Sequence, residues 1–462
     1  MITRYGRARS EGAAGGEDRH VPPPSPEVRR ATRDGRSQSP AEAVRDHQHR
    51  RHGADPTGLR RSAPYNAGVR VLVVSAWPPW PRADGARLIL HHHLTELAGR
   101  HEITLIAGNR PLDEPLPDTV PYGVTLHWSG PRRRGPLGYA ARRARSLTTG
   151  EPADLFRHET PALLHDYERA LGHEAPDVVH LMGAGTARLA RAAVNRGIPV
   201  VHMPIDAWRL SYGIHEHRPW WRRAIEVGQH RKVMRHEARH LSWCDAVVVV
   251  AEGDAAALRP TLPAGRVHVV PNGIDPGPEP RPAVAEPVVG FHGVMCTDPN
   301  RRAAQTLART VLPAIRGAVP DARLKLIGRD PTPDVCRLAS DVIEVTGAVP
   351  DVRRALESLA VYVCAMERGS GLKNKVLEAM AAGLPVIATP VGLDGIGAGP
   401  GIVSVDSVEE VAPAAIRLLA DAGERSRLGR EGRARVVREF TWRRSALAIE
   451  QIWEAALART PE

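Results

Sequence analysis

At 462 residues, with a formal net charge of +11 and 25% charged side chains, the chain is long enough for two buried cores plus an appendage. Aromatic residues make up only 4% and the arginine excess is spread along the chain, which excludes a nucleic-acid surface built on base stacking. Cys244, Cys296, Cys336 and Cys364 stand far apart without a C-x-x-C pair, so neither a cysteine zinc site nor a disulfide framework is expected. No run approaches the ~18 apolar residues of a membrane span and no signal-peptide core opens the chain, so the expected location is cytoplasmic.

In chain order, residues 1–68 are rich in Arg, Pro, Ser, Gly and His and lack apolar periodicity. They read as a disordered basic extension, or as the product of a start codon assigned too early. A first βα series follows, with strands expected at Val69–Ser75, Glu102–Ala107, Asp177–Leu181, Pro199–Met203 and Ala246–Val250. A second series has strands at Arg266–Val270, Pro287–Phe291, Arg323–Ile327, Val342–Val345, Ala360–Cys364, Leu384–Ala388 and Gly401–Val405, with a helix over Arg302–Val319. The Pro- and Glu-rich stretch Asp275–Glu286 reads as the linker. The fold class is therefore α/β: two doubly wound, Rossmann-like domains, 69–265 and 266–435, facing each other across a cleft. A last helix from Trp442, within 436–462, is expected to pack across the junction, with Thr441 as its N-cap.

Only four of the 63 basic residues are lysine, and two of them, Lys373 and Lys375, flank Asn374 in one triplet. The composition points to GC-rich coding, which drains lysine codons, so the triplet marks a task that arginine does not fill. It sits where the turn Gly369-Ser370-Gly371 runs into a helix expected from Asn374 to Ala382, stopped by Gly383. Glycines let backbone N–H groups approach a phosphate, and the helix N-terminus adds positive potential. Neither a Walker loop nor a G-x-G-x-x-G follows a strand here, so ATPase and nicotinamide readings are weak. Glu378 lies one turn into the helix, placed either to accept from sugar hydroxyls or to pair with Lys375 on the surface.

The segment Gly369–Gly383, with Val269-Val270-Pro271-Asn272-Gly273-Ile274-Asp275, Phe291-His292-Gly293, Leu326-Ile327-Gly328 and Val345-Thr346-Gly347, resembles the nucleotide-sugar half of retaining GT-B enzymes of glycosyltransferase family 4. A thinner match runs through Asp84-Gly85-Ala86-Arg87 and Pro176-Asp177-Val178-Val179-His180. The resemblance implies transfer of a hexosyl unit from a nucleotide diphosphate sugar to a hydroxylated acceptor, with retention and without a metal or cofactor. The setting it implies is glycan or specialised-metabolite biosynthesis. It places the diphosphate near Gly293, Gly369, Ser370, Gly371, Lys373, Asn374 and Lys375, the ribose at Glu378, and the acceptor beside Asp84, Gly85 and Arg87. The family's Glu-x7-Glu has its second glutamate at Glu378, whereas its first position holds Ser370. The family's usual Arg and Lys after the first strand of this domain are replaced by Gly293-Val294-Met295, so Lys373 and Lys375 are expected to carry the leaving-group charge, Lys375 catalytically. No Asp-x-Asp occurs, consistent with metal-free departure. His180, His202 and Asp206 are candidate bases facing the cleft, although the donor phosphate itself can take the proton in such enzymes.

Two rivals remain from the sequence: a nucleotide-sugar hydrolase or epimerase of the same fold, and a non-catalytic sugar-nucleotide-binding scaffold. His91-His92-His93 are consecutive on a helix and point in different directions, so they form no closed metal site. The basic stretch Arg132 to Arg145, with Leu137, Tyr139 and Leu147 interleaved, could rest on the inner face of an anionic membrane. Trp220-Trp221-Arg222-Arg223 could dock a glycan or lipid.

Overall fold

The computed structural model describes residues 68–80, 85–108, 124–129, 136–157, 159–211, 219–280 and 286–459. The extension expected over 1–68, all but its last residue, lies outside them, as do Asp84 and Arg132 to Arg134.

Seven strands form the first sheet: β1 (Arg70–Ser75), β2 (Glu102–Ala107), β3 (Val124–Trp128), β4 (Val178–Met182), β5 (Val200–Ile205), β6 (Ala246–Val249) and β7 (Val267–Val269). Six form the second: β8 (Val288–His292), β9 (Arg323–Ile327), β10 (Ile343–Val345), β11 (Val361–Cys364), β12 (Val386–Ala388) and β13 (Ile402–Ser404). Their orders are β3-β2-β1-β4-β5-β6-β7 and β10-β9-β8-β11-β12-β13, and every pairing is parallel. Central strands such as Val361-Tyr362-Val363-Cys364 are buried on both faces, which is why they read as unbroken apolar runs rather than alternations. In both sheets the strand order reverses about the first strand of the series. The switch points therefore fall between β1 and β4 and between β8 and β11, where open α/β sheets bind ligands beyond their strand ends.

Three expectations need correction. The strand expected to open the second series, Arg266–Val270, instead closes the first sheet as β7, with Val247 opposite Val267. It follows the short helix Glu252–Leu258 and the turn Arg259–Thr261, a crossover that returns a strand to its own sheet, so the second domain does not begin at residue 266. Edge strand β3 was not foreseen; only half-buried, it lacks the solid apolar run of the central strands. The helix expected over Arg302–Val319 begins at Asp298 and loosens at Leu307–Val311 into a π turn, where the Leu312 N–H reaches back to the Leu307 carbonyl. Pro313, which lacks an N–H and crowds the preceding turn, explains the widening.

The C-terminal helix Trp442–Arg459 crosses back to the first domain and packs on the helix Gly85–Leu97. Glu450 receives Arg100 at 2.8 Å and the His101 ring at 2.7 Å, His93 Nε2 meets Ser445 Oγ at 2.9 Å, and Trp442 stacks on His92 with ring centroids 4.3 Å apart. No helix among the described residues is long and apolar enough to cross a membrane.

Candidate active site between the two sheets

The C-terminal ends of the two sheets face one another across a cavity of about 580 Å³. Trp77 and Ala184–Gly185, which follow β1 and β4, line it from the first sheet, with Asp206 and Trp208 beyond β5. Leu372 and Asn374, which follow β11, close it from the second. A second cavity, about 640 Å³, lies at the opposite strand ends, around Gly383, Arg425 and Arg433. Open α/β sheets bind ligands beyond the carboxyl ends of their strands at the switch point, and the smaller cavity lies there.

The glycine-rich turn is built for contact across the cleft. Gly371 has φ +71°, and a Cβ there would stand 2.2 Å from Asp206 Oδ1. Its N–H donates to Asp254 Oδ2 at 3.1 Å, while Asp254 Oδ1 accepts from the Ala207 N–H at 2.8 Å. Asp394 Oδ1 in turn accepts from the Gly253 N–H at 3.1 Å, so carboxylates tie the domains together from both sides. Burial pushes the Asp254 carboxyl up to about 6, with Asp206 and Asp394 adding negative field, and burial raises Asp206 as well.

Lys373 and Lys375 part company within this turn. Lys373 is 5% exposed and donates to the carbonyls of Ser370 and Gly371, stapling its own loop. Burial lowers its pKa, and Asp394, Asp206 and Asp254 partly restore it. Lys375 points the other way, beneath β8. Its Nζ binds Asn300 Oδ1, approaches Met366 Sδ at 3.7 Å and lies 4.8 Å from the centre of the Phe291 ring. Gly293, the residue after β8, has φ +156°, and a Cβ there would come within 3.2 Å of that Nζ. Lys375 thus brings a cation to the place after β8 where the residues in sequence offer none. Burial pushes it down to about 8, so much of its charge is uncompensated by the protein itself.

Glu378 is not paired on the surface with Lys375; its Oε2 lies 2.6 Å from His292 Nε2, with the glutamate side chain 40% exposed and the histidine 6%. Asn374 accepts from Asn272 Nδ2 at 3.0 Å, and the other amide atom of Asn272, Oδ1, is buried without a partner. Gly369 has φ +135° and lies near Lys373 and Pro299.

On the first domain the three candidate bases separate. Asp206 lines the cavity. His180 does not face the cleft: its Nδ1 accepts from Trp453 Nε1 at 3.0 Å under the C-terminal helix, and its Nε2 faces Met182 Sδ at 3.0 Å. His202 is fully buried, with Nε2 donating to the Gly183 carbonyl at 3.2 Å. Burial pushes both imidazoles down to about 3, which keeps them neutral. Gly85 lines the cavity opposite Asn374, whereas Arg87 turns away and donates to the Trp80 carbonyl at 3.1 Å. Arg145, from the expected membrane stretch, stays exposed while pairing with Glu159 at 3.1 Å and lying over the Phe156 ring. Trp220 and Trp221 stand exposed at the start of the helix Trp220–Leu241.

Sequence reasoning gave no role to the partners His292, Asn300, Asn272, Asp254 and Asp394, although His292 and Asn272 stand inside the segments that carry the resemblance. Asp254 reads as an ordinary acid in the first turn of a helix, and only a parallel reading of both βα turns would single it out.

Comparison with known proteins agrees with this geometry. Two family models follow one another along the chain, Glycosyltransferase Family 4 over residues 83–277 and Glycosyl transferases group 1 over 286–421. Alpha-maltose-1-phosphate synthase of Mycolicibacterium smegmatis is 28% identical over 280 residues, which is 52% of this chain and 70% of that protein. Among solved structures, the sucrose-phosphate synthase of Thermosynechococcus elongatus superposes with a TM-score of 0.63 at 19% identity, covering 84% of this chain and 99% of that one. The Anabaena protein HepE, solved with UDP-glucose, gives a TM-score of 0.53 at 14% identity over 84% of this chain and 99% of its own. With two parallel sheets meeting at their switch points and both family models matched in order, the chain belongs to glycosyltransferase family 4 and is a glycosyltransferase of the GT-B fold.

Proposed function

We propose that this enzyme moves a hexosyl unit from a nucleotide diphosphate sugar to an acceptor hydroxyl, with retention of configuration and without a metal at the diphosphate. The observation that carries the reading is Lys375: a buried cation whose own partners are a neutral amide, a thioether and a ring face, set under the turn after β8 at the N-terminus of a helix. Departure of the nucleoside diphosphate concentrates negative charge at that place. A unit charge about 4 Å from a developing anion is worth about 4 kcal/mol at an effective dielectric near 20, or about three orders of magnitude in rate. Glu378, steadied by His292 and half in solvent, is the ribose ligand of this reading, and the UDP-glucose complex of HepE supports a nucleotide-sugar donor. The acceptor occupies the cavity beside Gly85, Asp206 and Trp208. Among the three candidate bases only Asp206 lines the cavity, and with burial raising its pKa the donor phosphate remains an equal candidate for taking the proton. The enzyme needs no organic cofactor in this scheme, and a cytoplasmic nucleotide-sugar pool would supply it for glycan or specialised-metabolite assembly.

The test is a panel of UDP, GDP, ADP and dTDP sugars in a thermal-shift assay, followed by turnover of the stabilising donor. A true donor raises the midpoint. Turnover is expected to require an acceptor, to persist in EDTA, to yield the donor's anomeric configuration, and to be lost in Lys375→Ala and Glu378→Ala. Turnover without an acceptor would instead indicate a hydrolase or epimerase, and no stabilisation by any donor would end the proposal.

A further inference from the structure

On the first domain, away from the donor turn, one carboxylate sits between two imidazoles. His236 and His240 are four residues apart on the helix Trp220–Leu241, so both rings leave the same face. Glu151 comes from the other side, just beyond the end of the helix Pro136–Thr149. Its Oε2 lies 2.6 Å from His236 Nδ1 and its Oε1 lies 3.0 Å from His240 Nε2. One ligand atom from each of the three residues falls within 4.8 Å of the others. Both histidines are buried, and T-shaped contacts with Trp208, at 5.6 Å from His236, and with Trp243, at 4.7 Å from His240, fix their ring planes.

We propose that Glu151, His236 and His240 form a binding site for a zinc-type divalent ion, set behind the acceptor wall of the interdomain cavity.

The hydrogen bonds to the carboxylate account for only half of the ring nitrogens, because His236 Nε2 and His240 Nδ1 are buried without hydrogen-bond partners. No outer partner fixes the tautomer of either ring, so the inner nitrogens can present lone pairs to an ion instead of N–H groups to the carboxylate. An ion in the centre uses the same three side chains, each imidazole turning a lone pair inward and carrying its proton on the outer nitrogen. Two nitrogens and one carboxylate, with a fourth position open, suit zinc or cobalt rather than calcium or magnesium, which want oxygen shells. The nearby cations Lys232 and Arg188 are engaged elsewhere, Lys232 on the Ser146 carbonyl at 2.6 Å and Arg188 on Glu159 at 3.1 Å. Glu151 retains 14% side-chain exposure, which supplies an entry path. Asp154, three residues beyond Glu151, and Trp208, packed on His236, both line the cavity, so the ion would set the acceptor wall rather than touch the diphosphate.

The experiment uses the full chain, stripped with a chelator and dialysed, then titrated with Co2+ and, separately, with Zn2+. One equivalent of Co2+ with the visible d–d absorption of a four-coordinate site is expected, and saturating Zn2+ should raise the midpoint by roughly 3 °C or more. Both responses should vanish in His240→Ala and in Glu151→Gln, and survive in His92→Ala. Glu151→Gln keeps a hydrogen-bonding side chain between the rings and covers the case in which His240→Ala does not fold. The absence of a response in the wild type, or an equal response in Glu151→Gln, would overturn the site.

Discussion

Lys373 and Lys375 are separated by one residue and serve opposite sides of the same turn. Lys373 is held by the Ser370 and Gly371 carbonyls of its own turn, with Asp394 of the second domain and Asp206 and Asp254 of the first adding negative field around it. Lys375 faces the second sheet, where an amide oxygen, a sulfur and an aromatic face leave its charge available to a ligand. A saturated buried cation holds structure together, and an under-compensated one is poised for an anion.

The largest expected effect is at the divide itself. Gly371→Ala forces a Cβ into Asp206 at a left-handed φ, and should lower kcat/KM roughly 100-fold or more while destabilising the protein by about 1–3 kcal/mol, measured by kinetics and denaturant unfolding. Next, Lys375→Met should reduce kcat by roughly 100- to 1,000-fold yet leave stability unchanged or raised, because the burial cost of a charge is removed. Lys373→Met should do the reverse, losing about 2–4 kcal/mol of stability because the facing carboxylates lose their cation. Equal kinetic and stability losses in the two variants would erase the distinction. Lys375→Arg should also fail in turnover, since a planar fork does not fit where Gly293 already comes close.

A smaller effect is its pH signature. Burial pushes Lys375 from 10.5 down to about 8, so between those values the unfolded chain holds more protons than the folded one. Stability should therefore rise as pH climbs from about 8 to about 10.5, while kcat/KM falls over the same start of the range as the cation is lost. Lys375→Met should flatten both slopes. Asp254 behaves oppositely: with its pKa raised from 3.8 to about 6, it contributes stability below about 3.8 that is lost as pH rises towards 6, and Asp254→Asn should remove that loss. The smallest effect is assigned to Asp206→Asn, less than about tenfold in kcat if the donor phosphate takes the proton. A loss of roughly 100-fold or more would make Asp206 the base.

Much of this was legible in advance for a physical reason. Parallel strands buried on both faces write themselves as solid apolar runs, and a glycine turn before a helix writes itself as composition. The roles of individual side chains were less legible, because they depend on partners far away in the chain. Lys375 meets Asn300 and Glu378 meets His292, separations of 75 and 86 residues. His180 illustrates the opposite hazard. Its position at a strand end suggested the cleft, but alternate residues of β4 point to opposite faces, and this one points to the side covered by Trp453.

The return of the C-terminal helix has a mechanical consequence. The chain passes from the first domain to the second near Ile274 and comes back at Phe440, and these passages are hydrogen-bonded to each other, Ile274 N–H to the Phe440 carbonyl at 2.9 Å. Two threads through one point act as a pivot. They resist sliding of one domain past the other and leave rotation as the soft motion, so opening and closing should swing the mouth widely while the spine stays still.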